Sequence, residues 1–155
     1  MSSTRSRFRF TWVLRDQLAL GPAPFKPSHL DRLHAEGIRG VLSLCDPQEH
    51  PQLAALPQLF RTARVVLPDH RSGRPPTEAE LQAAIQALAE LRQEGPVYVH
   101  CLASMERSPL VCLAWLMRER GLSRLEALDY LAQTHPGTNP LPEQLAVLVG
   151  FGQRT

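Results

Sequence analysis

The sequence predicts a single α/β domain: a central, mostly parallel mixed sheet of about five strands with helices on both faces. Three observations predict it. Short apolar runs alternate with longer amphipathic ones between residues 11 and 100, and a sheet built that way is covered on both sides. Residues 109–151 then read as helices separated only by caps and turns. A chain of 155 residues, 43% hydrophobic, holds one ordinary core.

Each element has a local reason. Residues 1–7 are polar and read as a solvated tail, with Arg5, Arg7 and Arg9 in water. Short strands are expected at Thr11–Leu14 and Gln17–Leu20. Gly21-Pro22-Ala23-Pro24 breaks the chain. A helix follows, capped by Ser28 with Asp31 three residues on, and stopped at Gly37. Gly40–Leu44 reads as a buried strand. Pro47–Gln58 is punctuated by proline and has room for one short helix. Ala63–Leu67 is the next strand, and Pro68–Pro76 a loop.

Thr77-Glu78-Ala79-Glu80 is a capping box. It opens a helix with Leu81, Ile85, Leu88 and Leu91 on one face, ending at Gly95. Pro96–His100 is the central strand. Pro109–Arg120 is apolar on most sides and therefore a buried helix. Ser123 and Glu126 cap a further helix that ends near His135-Pro136, and Leu141–Phe151 is the last. No internal repeat is visible.

Composition narrows the partners. The net charge of +2 makes no electrostatic case for nucleic acid or membrane. Lys26 is the one lysine among 17 basic residues. Cys45, Cys101 and Cys112 are too widely and irregularly spaced for a disulfide framework or a zinc site, so no metal and no cofactor are expected. The first residues lack an apolar signal core, and no run reaches transmembrane length. The expectation is a soluble, cytoplasmic monomer, in a compartment that keeps a reactive thiol reduced.

The chemistry concentrates in His100-Cys101-Leu102-Ala103-Ser104-Met105-Glu106-Arg107-Ser108-Pro109. A thiol leaves the end of a buried strand, a short loop follows, and an arginine and a hydroxyl open a helix. Loop amides from Leu102 to Glu106 and the helix N-terminus supply partial positive charge, and Arg107 supplies a full charge in a planar fork. This is a cradle for a phosphate group. A free thiol of pKa about 8.5 is mostly protonated at pH 7, so the cradle must lower Cys101 for it to attack phosphorus. Spacing alone is weak: with 16 arginines, any Cys has about a one-in-ten chance of an Arg six places on. Cys112 and Arg118 share that spacing inside a run that reads as helix. Cys45 and Cys112 read as small buried apolar residues.

Val97–Pro109 resembles the signature loop of the cysteine-based protein tyrosine phosphatase superfamily: His-Cys, five residues, Arg, then Ser or Thr. The small dual-specificity phosphatases are the nearest likeness, over nearly the whole chain. Phe10–Leu14 with Gln17-Leu18-Ala19 is similar to their opening strands, and Gly37–Leu44 to the helix-to-strand step that follows. Leu67-Pro68-Asp69 with Pro75-Pro76 is similar to their general-acid loop. Arg120–Ser123 with Ala127-Leu128 resembles the step between the helices behind the site, and His135-Pro136-Gly137 stands where Arg-Pro-Gly is usual. The signature loop would then lie between the central strand and the buried helix. Two positions depart from the pattern. Ser104 stands where Gly is common, and Glu106 where a small residue is.

The resemblance implies a metal-independent phosphomonoester hydrolase acting through phosphocysteine, of dual-specificity protein phosphatase type. Its substrates would be phosphotyrosine, with phosphoserine and phosphothreonine as further candidates. Alternatives are a phosphatase for inositol phosphates, phosphoinositides or RNA 5′ ends, and a catalytically weak phosphate-binding pseudophosphatase, which Ser104 and Glu106 make thinkable. Cys101 would be the nucleophile and Arg107 the phosphate clamp. Asp69, after a strand and before Pro75-Pro76, would be the general acid, with Asp46 and Glu106 in reserve. Ser108 is a helix N-cap by its place before Pro109, and by resemblance it also stabilises the departing thiolate. His100 braces the loop or is a satisfied core histidine. Arg71 and Arg74 are placed to meet a second phosphate or to be solvated. Glu106 is expected to face outward and pair with an arginine.

Overall fold

The computed structural model describes residues 8–103 and 106–151, so the expected tail at 1–7 lies outside it. The five strands are β1 (Thr11–Leu14), β2 (Leu18–Gly21), β3 (Gly40–Ser43), β4 (Arg61–Arg64) and β5 (Val97–His100). They form one sheet in the order β1-β2-β5-β3-β4. β1 pairs with β2 antiparallel; the other three pairings are parallel. The helices are α1 (Pro27–Ala35), α2 (Leu56–Leu59), α3 (Glu78–Arg92), α4 (Arg107–Arg120), α5 (Arg124–Thr134) and α6 (Pro142–Val147). Single 3₁₀ turns occupy His70–Ser72 and Leu148–Gly150.

Alternation along the strands divides the core. Leu18, Leu20, Leu42, Val97 and Val99 pack in one cluster with residues of α3, α4 and α5. Ala19, Val41 and Tyr98 face the other way and pack with Leu30 and Leu33 of α1 and Leu56 of α2. α4 runs through the larger cluster and is buried from Arg107 to Met117, as its apolar sequence predicts. Both capping boxes form. Thr77 Oγ1 accepts from the Glu80 amide at 3.1 Å while Glu80 Oε1 accepts from the Thr77 amide at 2.8 Å. Ser123 and Glu126 repeat the exchange at 3.0 and 2.9 Å.

Four boundaries differ from expectation. Ser28 does not cap α1, because Pro27 takes a first-turn position after the extended Lys26 and needs no amide acceptor. β4 lies two residues earlier than Ala63–Leu67, since its register is set by pairing Gly40–Ser43 of β3 with Arg61–Arg64. The last helix is short and ends in a 3₁₀ turn. α4 begins at Arg107 with Glu106 at its cap, so Ser108 is inside the first turn and is not the N-cap.

The parallel strands bring four connections to one edge of the sheet: those after β2, β3, β4 and β5. Gly21 ends β2 where a Cβ would overlap Tyr98 Oη and the Arg9 carbonyl. The Tyr98 hydroxyl uses that space to donate to the Pro22 carbonyl at 2.7 Å. α4 ends at Gly121, whose φ of 70° is the left-handed conformation that stops a helix cheaply only in glycine.

Candidate active site

β5 is the middle strand, so Cys101 leaves the sheet at its centre and is almost wholly buried. The loop returns at once into α4, which places Ser108 beneath the thiol. Ser108 Oγ is 3.4 Å and its amide nitrogen 3.5 Å from Cys101 Sγ. A first-turn amide and a hydroxyl therefore both face the sulfur. Above it opens a cleft lined by Glu49, Asp69, Arg71, Cys101, Leu102, Ala103, Glu106 and Arg107. Ser104 and Met105, the middle of the expected cradle, lie outside the described residues.

Arg107 is buried, and its fork is held from the ends of β3 and β4. Nη1 and Nη2 donate to the two carboxylate oxygens of Glu49 at 3.0 and 2.6 Å. Nη1 also lies 3.5 Å from the Leu44 carbonyl and 3.4 Å from that of Leu67. Burial opposes the charge, but the Glu49 hydrogen bonds outweigh it and hold the guanidinium firmly protonated. The same bonds hold the Glu49 carboxyl below its usual range. A buried, bidentate pair of this kind orients the arginine, and removing one member costs about 3–5 kcal/mol.

Asp69 lies in the connection that follows β4, as its place in the sequence predicts, and shares the cleft with Cys101. Its Oδ1 accepts from the Arg71 amide at 3.0 Å and its Oδ2 lies 3.3 Å from Arg71 Nη2. Partial burial pushes its carboxyl up, but the Arg71 amide and the charges of Arg107 and Arg71 win and hold it low. Asp69 thus both caps the turn that follows it and lines the cleft. Asp46 does not line the cleft; its Oδ1 accepts from the Gln48 amide at 2.8 Å and caps that turn. Arg74 is drawn away to Glu80 at 2.8 Å, whereas Arg71 stays exposed on the cleft wall.

His100 is buried beside the loop, and burial lowers its pKa to about 3, so the ring is neutral. Its Nδ1 sits 3.2 Å from the Cys101 carbonyl, a bracing contact in which the nitrogen donates. Glu106, expected to face outward, lines the cleft, and Gln144 Nε2 donates to its Oε1 at 3.3 Å. Gln144 is buried in α6, and its Oε1 also accepts from the Leu141 amide at 2.7 Å. The fold brings Gln144 of α6 to the cap residue of α4 across 38 positions, which no local pattern reveals.

Glu49 and Gln144 were invisible to sequence reasoning. A buried arginine needs a carboxylate, which is the one signal that pointed to an acidic partner, but it does not choose between Asp46 and Glu49. Among the described residues, no group of three or more His, Cys, Asp or Glu is placed to hold a metal ion.

Residues 28–154 match the family described as "Dual specificity phosphatase, catalytic domain". The chain belongs to the dual-specificity phosphatase family. It is a cysteine-dependent phosphatase domain. It is 25% identical over 150 residues, 96% of its length, to the phosphatidylglycerophosphate phosphatase PTPMT2 of Arabidopsis thaliana. It is 36% identical to the dual specificity protein phosphatase 5 of Rattus norvegicus, but over only 63 residues, 40% of the chain. The chain spans 65% of the first protein's length and 16% of the second's. The crystal structure of Tk-PTP in the active form superposes with a TM-score of 0.80 at 26% identity, covering 94% of this chain and 97% of that one.

Proposed function

We propose that this dual-specificity phosphatase domain hydrolyses the phosphomonoester of a glycerophospholipid of phosphatidylglycerophosphate type. The observation that carries the reading is Arg71. It is an exposed guanidinium on the wall of the cleft whose floor holds Cys101 and Arg107. A substrate with a terminal phosphomonoester and a nearby phosphodiester offers one anion to each arginine. The three carboxylates of the cleft, Glu49, Asp69 and Glu106, repel the acidic flanks of a phosphopeptide. The reading is supported by similarity to the Arabidopsis phosphatidylglycerophosphate phosphatase over 96% of the chain.

The chemistry follows from the placement. The Cys101 thiolate attacks phosphorus, the bond to the leaving oxygen breaks, and Asp69 donates a proton to that oxygen. Arg107 holds two phosphoryl oxygens as charge shifts on them. Water then attacks the phosphocysteine, Asp69 takes its proton, and the sulfur leaves as thiolate, accepting from the Ser108 hydroxyl and amide. Asp69 is held low in the free enzyme, and a phosphate dianion beside it raises it toward the value an acid needs.

Phosphate release from phosphatidylglycerophosphate in mixed micelles, from phosphotyrosine and phosphoserine peptides, and from p-nitrophenyl phosphate tests the reading. The lipid should have the highest kcat/KM, and Arg71→Ala should raise KM for the lipid roughly tenfold with little change for p-nitrophenyl phosphate. A phosphopeptide kcat/KM above that of the lipid overturns it in favour of protein dephosphorylation.

A further inference from the structure

Among the described residues, the large hydrophobic side chains left in water include Phe25, Val66 and Leu102, all on connections that leave the carboxyl edge of the sheet. Phe25 is 66% exposed and Leu102 42% exposed. The two belong to one surface. The Ala23 amide donates to the Leu102 carbonyl at 3.3 Å, which ties the connection carrying Phe25 to the active-site loop.

Phe25 is held outward. Its amide donates to His29 Nδ1 at 3.1 Å, so its backbone is anchored to α1. The space beneath is filled by the His29 ring, which meets Phe25 edge-on at 4.5 Å and stacks on Phe8 at 4.3 Å. Beside it stands Lys26, its ammonium 5.9 Å from the Phe25 ring centroid. Among the described residues Lys26 forms no ion pair, unlike Arg71 and Arg74 at the same edge. The net charge of the chain draws it to no surface, but this one corner joins an aromatic ring, an aliphatic tip and an unneutralised cation.

We propose, resting on the lipid reading above, that this edge docks on an anionic phospholipid bilayer, with Phe25 and Leu102 in the acyl boundary and Lys26 at the headgroups. An exposed apolar ring and aliphatic tip next to a cation is the combination that interfacial anchors use. A bilayer is favoured over a protein partner by shape. Separate side chains on loop tips need no complementary pocket in a fluid interface, whereas a specific protein contact needs about 800 Å² per side. Docking there turns the mouth of the cleft to the headgroups that carry the substrate phosphate.

Co-sedimentation of Cys101→Ser protein with phosphatidylglycerol vesicles and with phosphatidylcholine vesicles tests the proposal, paired with soluble turnover by the active protein. Phosphatidylglycerol vesicles should be bound and phosphatidylcholine vesicles bound several-fold less. Phe25→Ala should weaken binding roughly tenfold, Phe25→Trp should keep it, and Lys26→Ala should weaken it about threefold and flatten its salt dependence. All three should turn over p-nitrophenyl phosphate as the parent does and melt at the same temperature. Vesicle binding unchanged in both Phe25→Ala and Lys26→Ala overturns the proposal, as does absence of vesicle binding. If lipid is still hydrolysed in detergent micelles in that case, the substrate reading survives alone. If vesicles are bound as described but lipid is not hydrolysed, docking stands and the substrate reading falls. A Phe25→Ala loss confined to phosphopeptide turnover overturns docking in favour of a protein partner.

Discussion

Cys101 and Cys112 each have an arginine six residues on, and the two pairs differ in everything else. Cys101 lies at the end of β5, with the Ser108 hydroxyl and amide facing its sulfur. Cys112 lies inside α4, where burial pushes its thiol well up. Arg107 curls back to the same cleft and is clamped by Glu49. Arg118 turns away, donating to Gln82 at 3.4 Å with its guanidinium 4.9 Å from the Phe151 ring centroid. Six residues of helix separate two side chains by about 9 Å along the axis and about 120° around it, so they cannot enclose one ligand. A loop imposes no such separation. The spacing is chemically useful only where the chain leaves regular structure.

Exchanging the nucleophile is the most drastic way to break the comparison. Cys101→Ser should lower turnover of p-nitrophenyl phosphate by at least about 10³-fold, and Cys112→Ser should leave kcat within about twofold. Equal losses would mean that the two thiols are not distinguished by context. The arginines come next. Arg107→Lys should cost about 10²-fold in kcat, because an ammonium cannot reproduce the bidentate fork, while Arg118→Lys should leave kinetics alone. Retention of activity in Arg107→Lys would dissolve the assignment of the cleft.

A subtler contrast lies in pH. Arg107 has a carboxylate partner held below its usual range, and Arg118 has neutral ones. A depressed folded-state pKa gives stability that is present above the unfolded value, about 4.3 for Glu, and lost as pH falls through the folded one. Glu49→Gln should therefore flatten the fall in melting temperature below about pH 4.3 and lower kcat/KM roughly tenfold at neutral pH, through a misplaced Arg107. No loss of kcat/KM would show that Glu49 does not position the arginine. The smallest effect belongs to packing: Cys112→Ala should cost about 1 kcal/mol, or roughly 2–4 °C in melting temperature. Iodoacetamide should modify Cys101 in the native protein and reach Cys112 only on unfolding; the reverse order would contradict both placements.

The residues that sequence alone determined are those whose reason is local. The capping boxes at Thr77 and Ser123, the apolar run of α4 and the glycine stops are decided within a few residues, by hydrogen bonds and periodicity that neighbours along the chain supply. The Cys101–Arg107 loop was legible for the same reason, since strand, loop and helix follow one another directly. Asp69 was legible as a position after a strand, though its contact with Arg71 was not. Only the tertiary structure decided the rest. Glu49 reaches Arg107 from 58 positions away and Gln144 reaches Glu106 from 38, and neither pairing leaves a periodic trace. Ser108 lost its cap role to a helix that starts two residues sooner, and β4 took its register from β3. Long-range polar partners depend on where packed elements bring charges in space, which sequence spacing does not encode.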